Sequence, residues 1–289
     1  MSDLEYIEPN SLEGVFALLD PDDPAVRPIG GGTALMLMMK AGMYKPRRLV
    51  SLRQIGNRFN SFAQNADGSA FRIGALTTFA QLEHSPEIRA HFPVISQAMK
   101  TLANVRVRNV ATVGGNIAHA DPHLDLPPIW VALDATALIV KSGAERVIPV
   151  EEIFAGYYET TISNDELVAE IEVPIRPGWY SRYVKVTTRA AHDWPALGLT
   201  LSLDFEESRV RDLRLVLSAA IDRPVRLLQA EGALRGEQIN DASLKRAVEA
   251  CLGEVEIESD SRGSSDYKMH LLAVHLRRAI DAIAAENLG

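Results

Sequence analysis

The chain has 289 residues, 47% hydrophobic and 24% charged, with a formal net charge of −8. This is a globular profile, longer than one hydrophobic core sustains, and it excludes a disordered or fibrous chain. Lys and Arg are dispersed, so there is no basic stripe, and a nucleic-acid partner is not expected.

The only cysteine is Cys251, in a run that reads as helix. One thiol cannot make a disulfide framework, a cysteine-ligated zinc site or an iron-sulfur cluster by itself. The opening MSDLEYIEPN has no basic region followed by an apolar core, and no window approaches the ~20 apolar residues that span a bilayer. A cytoplasmic protein without a membrane span is expected.

The first fifty residues read strand, helix, strand, loop, helix, strand. Asn10 or Ser11 can cap a helix with Leu12, Val15, Phe16, Leu18 and Leu19 at helical spacing, stopped by Pro21-Asp22-Asp23-Pro24. A strand at Val26–Ile29 meets Gly30-Gly31-Gly32-Thr33, followed by a Leu- and Met-rich helix beginning at Ala34. Backbone N–H groups at such a loop-to-helix junction attract anions. Two named phosphate motifs fail here: the third glycine position of a Rossmann fingerprint holds Leu35 and the next strand ends in Ser51, and no Walker sequence is present. A glycine turn without a ligand stays open at this point.

Residues 71–73 read as strand, Thr78 as the cap of a short helix with Phe79 and Leu82, and 92–102 as a helix leading to the stretch 108–128, RNVATVGGNIAHADPHLDLPP. Gly114 and Gly115 have no Cβ, so the backbone there can take φ > 0 and bring N–H groups close to a phosphate or a flat ring. Thr112 and Asn116 flank them with short polar groups. Pro122, Pro127 and Pro128 each remove an N–H, which predicts a structured loop holding Asp121 and Asp125. His119 and His123 beside those aspartates raise a metal reading, but Pro122 interrupts any helical pairing of the histidines and no distant ligand announces itself, so no metal is expected.

Beyond this, 136–141 and 145–150 form a hairpin around Ser142-Gly143, and the alternation at 167–173 is a half-buried strand ended by Pro174 and Pro177-Gly178. In the last third, 180–187, 197–205 and 210–217 predict three antiparallel strands, with Leu197, Leu199, Leu201, Leu203 and Phe205 facing one way and Gly198, Thr200, Ser202 and Asp204 the other. Helices follow at 224–234, at 240–252 and at 265–285; in the last, Leu272, Leu276, Ile280 and Ile283 make an apolar stripe, with Lys268, Arg277 and Arg278 able to point outward.

Three blocks carry a family resemblance. The run from Arg108 through Gly114-Gly115-Asn116 to Asp121-Pro122 and Asp125-Leu126-Pro127 resembles the flavin-binding medium subunit of the molybdenum hydroxylases, the xanthine dehydrogenase and carbon monoxide dehydrogenase family. Gly30-Gly31-Gly32-Thr33 is similar to that family's first flavin loop, with Gly30 where alanine is common, and Ser264-Ser265-Asp266-Tyr267-Lys268 with Leu276-Arg277-Arg278-Ala279 to its C-terminal signature. The resemblance spans nearly the whole chain.

It implies an α+β fold: a two-subdomain FAD-binding domain of the vanillyl-alcohol-oxidase (PCMH) type at 1–55 and 56–177, then a C-terminal α+β domain at 178–289 with three antiparallel strands and helices. Carried over residue by residue, Gly30, Gly31, Gly32, Thr33 and Ala34 would present N–H groups to the FAD pyrophosphate. Thr112, Gly114, Gly115 and Asn116 would form the second flavin loop, and Asp125 would hydrogen-bond a cofactor hydroxyl or ring edge. Lys185, in Tyr183-Val184-Lys185-Val186, matches a lysine that approaches the flavin. Arg189, Asp193, Trp194 and Pro195 largely keep the pattern that follows it, and no cysteine-bearing insertion for an extra cluster is present.

The function so implied is electron transfer by an oxidoreductase subunit with no catalytic residue acting on the organic substrate. Molybdenum-pterin would sit in a large subunit and 2Fe-2S clusters in a small one, assembled as a dimer of heterotrimers, a heterohexamer. FAD in this chain would pass electrons to an external acceptor. Two other readings stay open: a self-contained FAD oxidase or reductase, and a flavin-free scaffold.

Overall fold

The structure is a computed structural model that describes residues 4–60, 62–206 and 208–288. The chain forms two compact units. The first comprises residues up to Ser85, Ala103–Ala120 and Ala135–Ile175; the second comprises Pro86–Leu102, Asp121–Asp134 and everything from Arg176 onward.

The first unit begins as expected. β1 (Glu5–Ile7), α1 (Leu12–Phe16), β2 (Val26–Ile29), α2 (Thr33–Lys40) and β3 (Arg48–Ser51) form a parallel three-stranded sheet in the order β1-β3-β2. Ser11 is the cap of α1, accepting from the Gly14 N–H at 3.1 Å, and the helix stops at Phe16, short of Leu19. A second, antiparallel sheet runs β4-β5-β10-β6-β7. Its strands are β4 (Phe62–Gln64), β5 (Ala70–Gly74), β6 (Thr136–Lys141), β7 (Ala144–Pro149) and β10 (Leu167–Pro174). A small pair, β8 (Phe154–Gly156) with β9 (Glu159–Thr160), joins β7 to β10.

The helices α3 (Phe79–His84), α6 (Val105–Arg108) and α7 (Val113–His119) complete this unit. Thr78 caps α3 through a full capping box with Gln81. The stretch 108–128 is more helical than its prolines suggested. Gly114 and Gly115 lie in the first turns of α7, and Pro127 and Pro128 open α8 (Leu126–Ala132). The reason is positional: a proline in the first turn of a helix loses an N–H that has no intrahelical partner anyway. Only 109–112 and 120–125 remain outside helices.

In the second unit, α4 (Pro86–His91), α5 (Pro93–Met99) and α8 accompany a four-stranded antiparallel sheet, β11 (Tyr180–Val186), β12 (Leu197–Glu206), β13 (Arg209–Ser218) and β14 (Val225–Arg226). The fourth strand was not anticipated, because its two residues precede the helix α9 (Leu228–Leu234) without a break in pattern. α10 (Asp241–Glu254) and α11 (Ser265–Leu288) follow.

Leu197, Leu199, Leu201, Leu203, Leu213, Leu215 and Leu217 pack with α9, α10 and α11 in one apolar cluster. The opposite face of β12 is not solvated, as simple alternation would have it. Thr200, Ser202 and Asp204 are at most 4% exposed, because α8 packs on β12 and β13 and α5 on β11. A second departure concerns Lys268. It is 1% exposed and not directed outward. It lies one turn before Leu272, on the same stripe, and its ammonium binds Asp260 Oδ1 and the Glu258 carbonyl at 3.0 Å each.

Candidate functional site

The glycine loops of the first unit meet each other. β2 delivers Gly30, Gly31 and Gly32 to the start of α2, whose N-cap, Gly32, has φ 71° and offers no side-chain hydrogen bond. The leading N–H groups of α2 are therefore open to an acceptor, with the helix dipole behind them. A Cβ on Gly31 would lie 1.8 Å from the Val110 carbonyl oxygen, and one on Gly30 would lie 3.0 Å from Thr112 Oγ1. Close approach, more than φ, selects glycine here: of the five glycines in the two loops only Gly32 has a left-handed backbone.

The second loop is held differently. Val113 N–H donates to the Thr77 carbonyl at 3.0 Å and Gly114 N–H to the Ala75 carbonyl at 2.8 Å. Thr112 caps α7, with Oγ1 accepting from Gly115 N–H at 3.2 Å and its carbonyl accepting from Asn116 N–H at 2.9 Å. A Cβ on Gly114 would come within 2.6 Å of the Ala75 side chain. The donors of this turn are thus spent on the protein, and the feature left over is Asn116 Oδ1, buried without a hydrogen-bond partner. Arg108 anchors the segment through Glu83 (2.8 and 3.2 Å) and the Ala103 carbonyl (3.1 Å).

Asp125 and Lys185 belong to the second unit, and the structure brings them together. Lys185 Nζ is 3.0 Å from Asp125 Oδ2 and donates to the Thr101 carbonyl at 3.1 Å. The Tyr183 hydroxyl donates to Asp125 Oδ1 at 2.6 Å. The side chains of Lys185 and Asp125 are 7% and 8% exposed. Burial pushes the Asp125 carboxyl upward, and Lys185 and Tyr183 pull against it. Burial, reinforced by Asp125, pushes the Tyr183 phenol well above its ordinary range, so it stays a donor. Sequence reasoning gave Tyr183 no role, although strand alternation places residues 183 and 185 on one face.

The loop 121–125 that leads to Asp125 is pinned by its own residues. Asp121 Oδ1 accepts from the His123 N–H at 2.9 Å and lies 2.9 Å from the ring Nδ1, while His123 Nε2 faces Arg262 at 3.2 Å. The imidazole stacks on Trp194 at 5.8 Å, and the Ala219 N–H holds the Pro122 carbonyl at 3.0 Å. His123 is thus occupied by its neighbours, and His119 packs edge-on against Tyr158. Among the described residues, no group of three or more His, Cys, Asp or Glu is placed to hold a metal ion.

A backbone cradle that a Cβ would fill, an uncapped helix start and an orphaned amide oxygen fit a cofactor with a pyrophosphate. Comparison with known proteins identifies it: residues 2–176 match the family described as the FAD binding domain in molybdopterin dehydrogenase. The chain belongs to this family. Residues 182–283 match the CO dehydrogenase flavoprotein C-terminal domain.

The flavoprotein is similar to the glyceraldehyde dehydrogenase medium chain of Sulfolobus acidocaldarius, with 28% identity over 98% of this chain and 99% of the relative. It is equally similar to the carbon monoxide dehydrogenase medium chain of Hydrogenophaga pseudoflava, with 28% identity over 96% of each. The solved carbon monoxide dehydrogenase from Hydrogenophaga pseudoflava superimposes with a TM-score of 0.92 at 30% identity, over 98% of this chain and 97% of that one. Quinoline 2-oxidoreductase from Pseudomonas putida 86 does so at 0.89 and 26% identity, over 99% of each. The flavoprotein is therefore an FAD-binding medium subunit of the molybdenum hydroxylase type, a component of an oxidoreductase. Among the described residues, no helix is long and apolar enough to cross a membrane.

Proposed function

We propose that this flavoprotein is the electron-outlet subunit of a cytoplasmic molybdenum hydroxylase. Substrate is oxidised at molybdenum-pterin in a large subunit, and electrons pass through 2Fe-2S clusters of a small subunit to the FAD of this chain and on to an external acceptor. The assembly is a dimer of heterotrimers. Bound FAD supplies a carrier that exchanges electrons with one-electron and two-electron partners.

The residues of the chain bind and orient. Gly30, Gly31, Gly32, Thr33 and Ala34 offer the open N–H groups of the α2 start to the pyrophosphate. Thr112, Gly114, Gly115 and Asn116 form the second loop, where Asn116 Oδ1 accepts from the cofactor. In the second unit, Lys185, with Asp125 beside it, serves the flavin ring: two-electron reduction leaves negative charge on the N1 and C2 carbonyl side, which a cation favours.

The observation that supports this most is the uncapped α2 start beside Gly31, which admits no Cβ. The test is co-purification of the untagged partners with analysis of FAD, molybdenum and iron, followed by anaerobic addition of candidate substrates. Flavin bleaching that depends on the partner subunits is expected. A lone chain that turns over a substrate, or a folded complex without flavin, overturns the reading.

A further inference from the structure

The helix α2 is out of keeping with its own sequence. Residues 34–39 are Ala, Leu and Met without exception, yet no residue of the helix is buried. In the second unit α8 is as apolar, and all of Leu126–Ala132 is buried. A helix that is apolar all round belongs in an interior, so α2 lacks the cover its composition calls for.

The bare part is one patch. Met36 and Leu37 are 43% and 63% exposed, and Lys40 and Ala41, also exposed, lie one turn on along the same side. Gly42 then turns the chain at φ 71°, and the Met43 N–H returns to the Met38 carbonyl at 3.0 Å, which keeps Met43, 68% exposed, at the helix end. The N–H groups offered to the pyrophosphate are at the helix start, whereas this patch is at its end. Four of the seven methionines of the chain fall within 36–43, and flexible thioethers shape themselves to a partner at contact surfaces. Single exposed apolar side chains are ordinary; a contiguous patch marks an interface.

Charge narrows what covers it. From residue 33 to 46 the chain has two cations, Lys40 and Lys45, and no carboxylate. Neither lysine forms an ion pair among the described residues, whereas the nearby Arg47 and Arg48 are paired with Asp23 and Glu5. A second copy of this chain is a poor occupant, because a two-fold contact sets a patch against itself and brings Lys40 toward its own equivalent. A membrane surface is disfavoured too, since α2 has no polar face rich in Lys and Arg of the kind interfacial helices carry.

We propose that Met36, Leu37, Ala41 and Met43, with Lys40 and Lys45 at their edge, dock a partner subunit of the complex that presents an apolar pocket rimmed by carboxylates. This rests on the reading of the chain as one subunit of an assembly. The apolar side chains leave water on contact, and carboxylates facing the lysines steer the approach and fix the register.

The experiment is thiol footprinting of Met43→Cys in the full chain, purified alone and as the complex with its untagged partners. The native thiol stays silent: Cys251 is buried, and burial pushes it up to about 12, so the introduced thiol is the one that reacts near neutral pH. Alkylation is expected to be about tenfold slower in the complex. Leu37→Glu carries an unpaired charge into the apolar contact and is expected to lower recovery of the partners about tenfold, with the thermal midpoint of the lone chain unchanged. Lys40→Glu is expected to lower recovery about threefold, an effect that shrinks at high salt. Equal alkylation in chain and complex, or full recovery of partners by Leu37→Glu, overturns the docking site and leaves the subunit reading intact. A parent chain that recovers no partner overturns that reading and the inference with it. Protection that grows with the concentration of the lone chain makes a second copy the occupant, and protection by phosphatidylglycerol vesicles makes it a membrane; either overturns the proposal.

Discussion

The two groups of site residues are made of different material. In the first unit the glycine loops work through the backbone: the α2 start offers N–H groups, and the side chains around it matter chiefly by being absent. In the second unit Tyr183, Asp125 and Lys185 work through side-chain charge and hydrogen bonds on a buried sheet face. A backbone site tolerates changes of chemistry and fails on added atoms; a side-chain cluster tolerates neither loss nor exchange of its members.

The sharpest way to break the first region is therefore to add atoms. Gly31→Val places a Cβ that would lie 1.8 Å from the Val110 carbonyl oxygen, where no rotamer offers relief. A cost of about 3 kcal/mol or more is expected from overpacking of this kind, with loss of bound FAD measured by flavin absorbance per protein. Full FAD occupancy in this variant would remove the Gly30 loop from the site.

The second region should break by subtraction. Asp125→Ala leaves Lys185 buried without its counter-charge, and removing one partner of a buried pair costs about 3–5 kcal/mol. Replacing both, Asp125→Leu with Lys185→Met, should recover most of that loss in chemical denaturation, because the remaining side chains are apolar and similar in volume. A double variant as unstable as the single one would show that Asp125 is held in place mainly by Tyr183.

What the sequence disclosed follows the same division. The βαβαβ opening, the hairpin at Gly143, the long helix from Ser265 and both glycine loops were legible, because local periodicity and punctuation encode them. The motif blocks pointed to the FAD-binding family that the comparisons establish. Segments 86–102 and 121–134 packing with the C-terminal third was not legible, since no local pattern reports which distant sheet an amphipathic helix covers. For the same reason alternation separated the two faces of β12 without reporting what covers the polar one, and Lys268 read as able to point outward. The glycines were noticed for the φ and the close ligand approach they permit, whereas Gly31 and Gly114 are required for the space they leave to the protein's own Val110 carbonyl and Ala75 side chain.

A milder probe of the first region is its cap. Thr112 Oγ1 accepts from Gly115 N–H at 3.2 Å, so Thr112→Ala should cost about 1 kcal/mol and Thr112→Ser almost nothing by thermal unfolding. If the alanine and serine variants were equally stable, the second loop would owe its position to the Ala75 and Thr77 carbonyls alone.

The smallest expected effect separates the regions by pH. In the first unit Glu166 accepts from Arg146 at 2.8 and 3.0 Å and from the Ser163 N–H at 3.0 Å, and the Arg146 guanidinium holds its carboxyl below the ordinary value of 4.5. A carboxyl lowered on folding supports the fold fully above its unfolded value, and the support is lost as pH falls through the folded value. Asp125 has the opposite sign, because burial raises it; its contribution is present below the unfolded value and lost as pH rises through the folded one. Acid should therefore weaken the frame of the first unit while relieving Asp125. The gap in thermal midpoint between the parent and Arg146→Met is expected to be widest near neutrality and to close below pH 4.5. A gap unchanged down to about pH 3 would mean that Arg146 stabilises this unit by packing its methylene stem rather than by its charge.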